Sequence, residues 1–169
     1  MYDNTQRYGL ISRFFHWSMA LGFSFLLLTV ILWTIDEAYF SLMAYHKSVG
    51  FLMMVLVIMR AIWAALNWTK RPHGNLLVKL GHLGLYVLMI AVPLVALLRQ
   101  YGTGRSPLSV FGMNVMDKAT DKIEWMGQLG NAAHGKLGFA LFALAVGHIG
   151  FAVYHQIKGE KIMNRMVGK

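Results

Sequence analysis

The chain has 169 residues, of which 57% are hydrophobic and only 14% are charged, and this balance excludes an ordinary water-soluble domain. It contains no cysteine, which excludes disulfides, iron–sulfur clusters ligated by this chain and covalently attached c-type haem. The formal net charge of +9 is concentrated in segments that flank apolar runs, so it indicates membrane topology and contact with anionic lipid, and no nucleic-acid partner.

Four apolar runs, at 14–35, 49–66, 80–98 and 137–157, are each long enough to cross the hydrocarbon of a membrane. Extended into their flanking residues, they predict helices at about 10–35, 40–67, 78–99 and 128–157, with an outer connection at 99–127. Pro93 predicts a kink in the third helix because it removes a backbone donor. The predicted fold is all-α: an integral membrane antiparallel four-helix bundle formed by a single domain, 1–169.

The distribution of charge predicts the orientation of this bundle. The N-terminal segment, the second connection and the C-terminal tail together carry nine Lys and Arg residues against two acidic residues. The first and third connections carry six against five. Because positive charge is enriched on the cytoplasmic side of membrane proteins, both termini are predicted to be cytoplasmic.

Four histidines, His16, His46, His134 and His148, lie in or beside the apolar runs, where an ionisable residue is costly and marks a functional site. His134 and His148 are 14 residues apart, so both project from one face of the fourth helix, about 21 Å apart along its axis. In the antiparallel bundle, depth pairs His46 with His134 near the outer side and His16 with His148 nearer the inner side. A lone histidine is often a hydrogen-bonded packing residue, but four at matched depths indicate two stacked metal sites.

Two imidazoles at each level suit haem iron better than zinc, because a structural zinc site needs four protein ligands, usually with thiolates among them. A haem supplies four further nitrogens, and two axial histidines favour electron transfer over oxygen binding. The sequence therefore predicts two b-type haems. A haem-free carrier of divalent metals is disfavoured, since no acidic residue lies inside the predicted bundle.

Two arginines lie at the inner level of the predicted bundle. Arg60 follows His46 by 14 residues on the same helix face, and Arg13 lies about one turn before His16. Each arginine has two possible partners: a haem propionate, through charge-assisted hydrogen bonds, or the lipid headgroups, reached by snorkelling. Snorkelling is the stronger expectation for Arg13.

Lys47 and Lys136 lie beside the two outer histidines and are candidates for holding outer propionates or attracting an anionic reactant. Ordinary interfacial lysines are the alternative. His82, early in the third helix, is a candidate contact for a quinone or a propionate, and His155 is a candidate proton relay near the cytoplasm. Each of these is equally well explained as a plain interfacial polar residue, and His73 is expected to have no special role.

At these residues the chain resembles the bacterial cytochrome b561 family, the small four-helix di-haem membrane cytochromes, and within it the superoxide oxidase type. The resemblance covers nearly the whole length and depends on the order and spacing of short motifs rather than on any one of them. These are Arg13-Phe-Phe-His16-Trp17, His46 with Arg60, His82-Leu-Gly-Leu-Tyr86 with Pro93, Ser106-Pro-Leu-Ser-Val-Phe-Gly112, the spacing of His134, His148 and His155, and Ile162-Met-Asn-Arg-Met166.

The resemblance implies two b-type haems, ligated by His16 with His148 and by His46 with His134, in a multi-pass protein of the bacterial inner membrane. It further implies electron transfer between the periplasmic face and membrane quinone. In the superoxide oxidase type, superoxide is oxidised to oxygen at the outer side and ubiquinone is reduced. The alternative is a cytochrome b subunit that passes electrons between membrane quinol and a periplasmic or membrane redox partner protein, with the outer connection as its docking surface.

Two positions depart from the family pattern. Lys79 stands where relatives can carry a second histidine three residues before His82, and the tail has Lys158-Gly-Glu160-Lys161 where relatives have an aspartate. A quinone or proton site built on that pair of histidines is therefore in doubt.

Overall fold

A computed structural model describes residues 2–72 and 74–168, so His73 lies outside the described residues. Four long helices dominate it: α1 (Leu10–Ile35), α2 (Met43–Leu66), α3 (Leu76–Gly102) and α4 (Glu124–Ile157). All four are long and apolar enough to cross a membrane. Only 6–11% of the residues in their most apolar stretches are buried, so most of the helix surface is available to lipid. The predicted all-α bundle of four membrane helices is confirmed.

The helices pack unequally, and this leaves space beside α4. Helix α4 packs closely on α3, α1 packs on α2, and α2 packs on α3, whereas α1 and α2 do not pack closely on α4. Buried glycines bring the outer ends of α3 and α4 together, since a side chain at Gly130 would meet Arg99 and the carbonyl of Val95. Helix α2, which carries His46, and helix α4, which carries His134, thus both pack on α3 rather than on each other.

An apolar layer fills the middle of the bundle. Met19, Val57, Met89 and Leu141, one residue from each long helix, are buried there and pack with flanking side chains that include Phe23. Met19 follows His16 by one turn, and Leu141 lies midway between His134 and His148. The layer therefore separates the inner histidines from the outer ones.

The two chain termini lie at the same end of the bundle. The backbone amide of Tyr8 donates to the carbonyl of Arg165 at 3.2 Å, and the indole of Trp17 donates to the carbonyl of Met166 at 3.1 Å. The tail ends in a short helix, α5 (Asn164–Val167). An even number of membrane crossings agrees with this placement, and the charge distribution predicts that this end is cytoplasmic.

The outer connection contains a β-hairpin that the sequence reading did not anticipate. Strands β1 (Leu108–Val110) and β2 (Met113–Met116) pair in antiparallel fashion, and Phe111 and Gly112 between them both have positive φ. Two successive residues with positive φ form the tight turn whose twist matches a hairpin. Strand β1 packs on α2, and the amide of Phe111 donates to the hydroxyl of Ser48 at 3.1 Å. The hairpin therefore covers part of the outer end of α2.

The helix bounds differ from the predicted ones at several ends. The second predicted helix is divided into a 3₁₀ segment, Glu37–Leu42, and α2. Helix α3 begins earlier, at Leu76, because the side chain of Asn75 caps it by accepting from the amide of Val78. Helix α4 begins at Glu124, before its apolar run, because its first turns pack against α3 and an acidic residue favours a helix N-terminus.

Candidate functional site

The four intramembrane histidines form two pairs across the gap beside α4. The outer pair is His46 on α2 and His134 on α4, with ring centroids 6.3 Å apart and ring planes at 82°. The inner pair is His16 on α1 and His148 on α4, with centroids also 6.3 Å apart and planes at 57°. These are the combinations expected from depth along the helices.

The spacing within each pair fits one metal ion bound between two imidazoles. Bonds from a metal to histidine nitrogen are about 2 Å long, so two such bonds and the two half-rings place the centroids about 6 Å apart. No group of three or more metal-ligating side chains occurs among the described residues. Each pair therefore offers two protein ligands on opposite sides, the arrangement that suits a metal already held in a planar macrocycle.

One ring nitrogen of each outer histidine has a hydrogen-bond partner on a neighbouring helix. Nδ1 of His46 lies 2.8 Å from the hydroxyl of Thr29, and Nδ1 of His134 lies 3.1 Å from the carbonyl oxygen of Val92. A carbonyl can only accept, so His134 carries its proton on Nδ1. This leaves Nε2 of His134 with a lone pair for a metal, and ligating histidines generally have such a partner on the other nitrogen.

Open space adjoins the outer pair on its inner side. Gly50 follows His46 by one helical turn, and Gly138 follows His134 by one turn. A side chain at Gly138 would meet no atom within 4 Å, and one at Gly50 would meet only a methyl of Leu26 at that distance. The flanks of both outer histidines are therefore clear enough for a flat group.

The inner pair lies beside a charged residue. Nη2 of Arg60 is 3.4 Å from Nδ1 of His16, Nη1 is 3.6 Å from the sulfur of Met19, and the guanidinium lies 5.7 Å from the ring centre of Tyr86. These contacts are long and weak for a half-buried cation, which favours a carboxylate when one is available. A metal on Nε2 of His16 would place a proton on Nδ1, so Arg60 would then turn away from that nitrogen.

His82 joins the inner pair as a third imidazole. Its ring centroid lies 5.2 Å from that of His148, nearly perpendicular to it. Nδ1 of His82 donates to the carbonyl of Val78 at 2.8 Å, since a carbonyl cannot donate, and its Nε2 is left as an acceptor.

Three further residues predicted from the sequence, His155, Lys47 and Lys136, lie outside the two histidine pairs. His155 contacts the ring of Phe151, and its Nδ1 is 2.8 Å from Glu160 without hydrogen-bond geometry. Lys47 and Lys136 are exposed at the outer end.

Arg13 lies in a groove of about 420 Å³ between α1 and the tail, formed in part by Trp17 and Met166. Its Nε is buried without a hydrogen-bond partner among the described residues.

Two partners of the outer pair were missed from the sequence, Thr29 and the carbonyl of Val92. A threonine inside an apolar run usually bonds its own helix, and a backbone carbonyl has no sequence signature. Pro93 is not such a signal, because it frees the carbonyl of Met89, four residues before it, and not that of Val92.

The fold and these pairs define a class: a multi-pass membrane protein with two histidine pairs stacked across a four-helix bundle. The sequence profile of the prokaryotic cytochrome b561 family matches residues 7–169. The chain is also 30% identical to Cytochrome b561 homolog 2 of Escherichia coli (strain K12), over 99% of this chain and 95% of that protein. The chain therefore belongs to the prokaryotic cytochrome b561 family, whose members transfer electrons across membranes by means of b-type haem.

Proposed function

We propose that this cytochrome binds two b-type haems and oxidises superoxide to oxygen at the outer face while reducing ubiquinone, in the bacterial inner membrane. His46 with His134 would hold one haem and His16 with His148 the other. The matched 6.3 Å spacing of the two pairs is the observation that supports two equivalent sites. Each haem, held by one of these histidine pairs, would supply one-electron transfer.

The outer end of the protein is suited to an anionic reactant. Lys47 and Lys136 are exposed close to the outer pair, in sequence one and two residues after its histidines. Positive charge beside a reactive site raises the local concentration of anions and the rate of encounter. In the net reaction two superoxide ions lose one electron each, and one quinone gains two electrons and two protons to become quinol.

The inner end is suited to carboxylates and to protons. Arg60 is half-buried and lacks an acidic partner among the described residues, so we assign it to a propionate of the inner haem. His82 has a free Nε2 beside the inner pair, and His155 lies next to Glu160 nearer the cytoplasm. An imidazole can pass a proton between hydrogen-bonding partners through its two ring nitrogens, and quinone reduction requires protons.

A second candidate function is an electron-carrying subunit that exchanges electrons between quinol and a periplasmic or membrane redox protein. The hairpin favours it, because Phe111, Met113 and Val115 expose apolar side chains at the outer end. A surface of this kind is typical of contact with another protein or with the membrane interface.

One experiment separates the two functions. The detergent-purified protein is assayed for haem by pyridine haemochrome and then mixed with superoxide in the presence of a soluble ubiquinone. Two haems per chain that are reduced by superoxide, with quinol formed, would support the proposal. Two haems that respond only to quinol would favour the carrier, and absence of haem from folded protein would refute both.

Lysine substitutions at the two ends of the bundle test whether positive charge at the outer end speeds the reaction with superoxide. Replacing Lys47 and Lys136 with glutamine should lower the rate of reduction by superoxide severalfold and weaken its dependence on ionic strength. The same change at Lys158 and Lys161, at the other end of the bundle, should leave both unaltered.

A further inference from the structure

Thr29 is a polar side chain enclosed within the outer half of the bundle. It is 1% exposed and lies on α1, opposite His46 of α2. Its hydroxyl has two close neighbours, the carbonyl oxygen of Leu26 at 2.7 Å and Nδ1 of His46 at 2.8 Å. A hydroxyl has one proton to donate, so only one of these contacts can use it.

The position of that proton is fixed by the carbonyl. If Thr29 donated to His46, its oxygen would face the oxygen of Leu26 at 2.7 Å with no hydrogen between them, which is repulsive. Thr29 therefore donates to Leu26 and accepts from Nδ1–H of His46. The ring of His46 is thereby held with Nε2 unprotonated, as the carbonyl of Val92 holds the ring of His134.

The inner pair is arranged differently. Nδ1 of His16 faces the guanidinium of Arg60 at 3.4 Å, a group that can only donate and that carries a positive charge. The outer histidines thus donate to acceptors on neighbouring helices, whereas Nδ1 of His16 faces a donor.

We propose that Thr29 is a positioning residue of the outer site, and that it helps to keep the reduction potential of that site below the potential of the inner site. This inference rests on the proposed haem ligation. A ligating histidine that donates its other N–H becomes a more basic ligand, which favours oxidised iron. At the inner site Nδ1 of His16 faces the guanidinium of Arg60, which offers no acceptor, so this effect applies to the outer site. A lower potential at the outer site favours electron transfer from it to the inner one.

The test is a redox titration of the purified holoprotein, followed by absorption spectroscopy, with haem content measured in parallel. Thr29→Val removes the acceptor while keeping the shape, and Thr29→Ser restores it. The matched control is Thr34→Val on the same helix, where an exposed threonine donates to the carbonyl of Val30 at 2.7 Å and contacts no histidine. His148→Ala provides a background in which only the outer haem is expected.

In the full protein, Thr29→Val is expected to raise the lower of the two midpoint potentials. In the His148→Ala background it is expected to raise the one midpoint potential that remains. Thr29→Ser and Thr34→Val should titrate as the wild type does. If the Thr29→Val protein loses the outer haem, the test uses Thr29→Cys in its place. The thiol is a weaker acceptor than the hydroxyl, so the midpoint potential should rise in the same direction but by less.

Unchanged potentials in a Thr29→Val protein that keeps two haems would overturn the positioning role, and so would a rise in the higher potential alone. A Thr29→Ser protein that titrates like Thr29→Val would also overturn it. These results leave the proposed function intact, whereas a wild type with fewer than two haems would defeat the proposed ligation itself.

Discussion

The carboxylate of Asp3 lies 3.0 Å from Nε of Arg71 and joins the first residues of the chain to the connection between α2 and α3. The side chain of Asp3 is fully buried, and it also accepts from the amide of Gly9 and the hydroxyl of Ser12. That hydroxyl in turn accepts from the indole of Trp63. One carboxylate therefore organises the end of the bundle at which both termini lie.

Asp3→Ala should destabilise the protein by about 3 kcal/mol, because it leaves the largely buried Arg71 without its partner. The free energy of unfolding is measured by SDS titration of the detergent-solubilised protein. The control is Glu124→Ala, which breaks an ion pair with Lys122 whose side chains are both more than 60% exposed. That change should cost about 0–1 kcal/mol. An equal loss of unfolding free energy in Asp3→Ala and Glu124→Ala would contradict a structural role for Asp3.

Alanine substitutions of the histidines should remove haem one level at a time. His134→Ala and His46→Ala should each lose the same haem, and His148→Ala and His16→Ala should each lose the other, because each pair faces one site. Pyridine haemochrome gives the haem content, and the α-band of the reduced protein identifies which haem remains. If His46→Ala and His134→Ala lost different haems, the pairing would be wrong.

Gly138→Leu should block the outer site without unfolding the helix. Gly138 is half-buried one turn after His134, and a side chain there would extend into the space proposed for the macrocycle. The matched control is Gly150→Leu, which is also on α4 with open space around it. Gly150 is nine residues after the buried Leu141, so it lies on the helix face opposite to Leu141 and to the histidines of α4.

The measurement for this comparison is haem per chain together with helical circular dichroism. We expect about half the haem from Gly138→Leu and the full content from Gly150→Leu, both with wild-type helicity. Full haem content in both variants would show that Gly138 does not border the site.

Alkaline stability should depend on Tyr8. Burial raises the pKa of Tyr8 above its ordinary value of 10.0, and the neighbouring Arg71 opposes this in part. Because the folded-state pKa is the higher one, the contribution of Tyr8 to stability is present below about pH 10 and is lost as the pH rises through the folded-state value.

Tyr8→Phe should therefore make the decline of stability at alkaline pH less steep. The unfolding midpoint is followed between about pH 8 and pH 11, with Tyr45→Phe as the control for removing an exposed tyrosine hydroxyl. A Tyr8→Phe protein whose alkaline decline matched the wild type would contradict this assignment.

The helices and the two histidine levels were accessible from the sequence because both depend on simple periodicities. A run of apolar residues sets the length of a membrane helix, and a spacing of 14 residues returns His148 to the face of His134. Antiparallel order then gives each histidine a depth, which is all that the pairing requires.

The contacts of the histidines were not accessible, since they depend on how neighbouring helices are rotated. Nothing in the sequence shows that Thr29 faces His46 or that His82 lies against His148, because each relation joins residues on different helices. The hairpin was missed for another reason: two strands of three and four residues have too short an alternation to distinguish from a loop.

The apolar layer of Met19, Val57, Met89 and Leu141 lies between the two proposed haem sites, so an electron passing between those sites would have to cross it. An electron can tunnel past methionine and leucine side chains, but a proton needs a chain of hydrogen-bonding groups, which these four side chains do not provide. An electron that passed between the two proposed haems would therefore move without an accompanying proton through part of the bilayer field. The membrane voltage acts on that step directly, by up to about 2.3 kcal/mol per 100 mV for a full crossing.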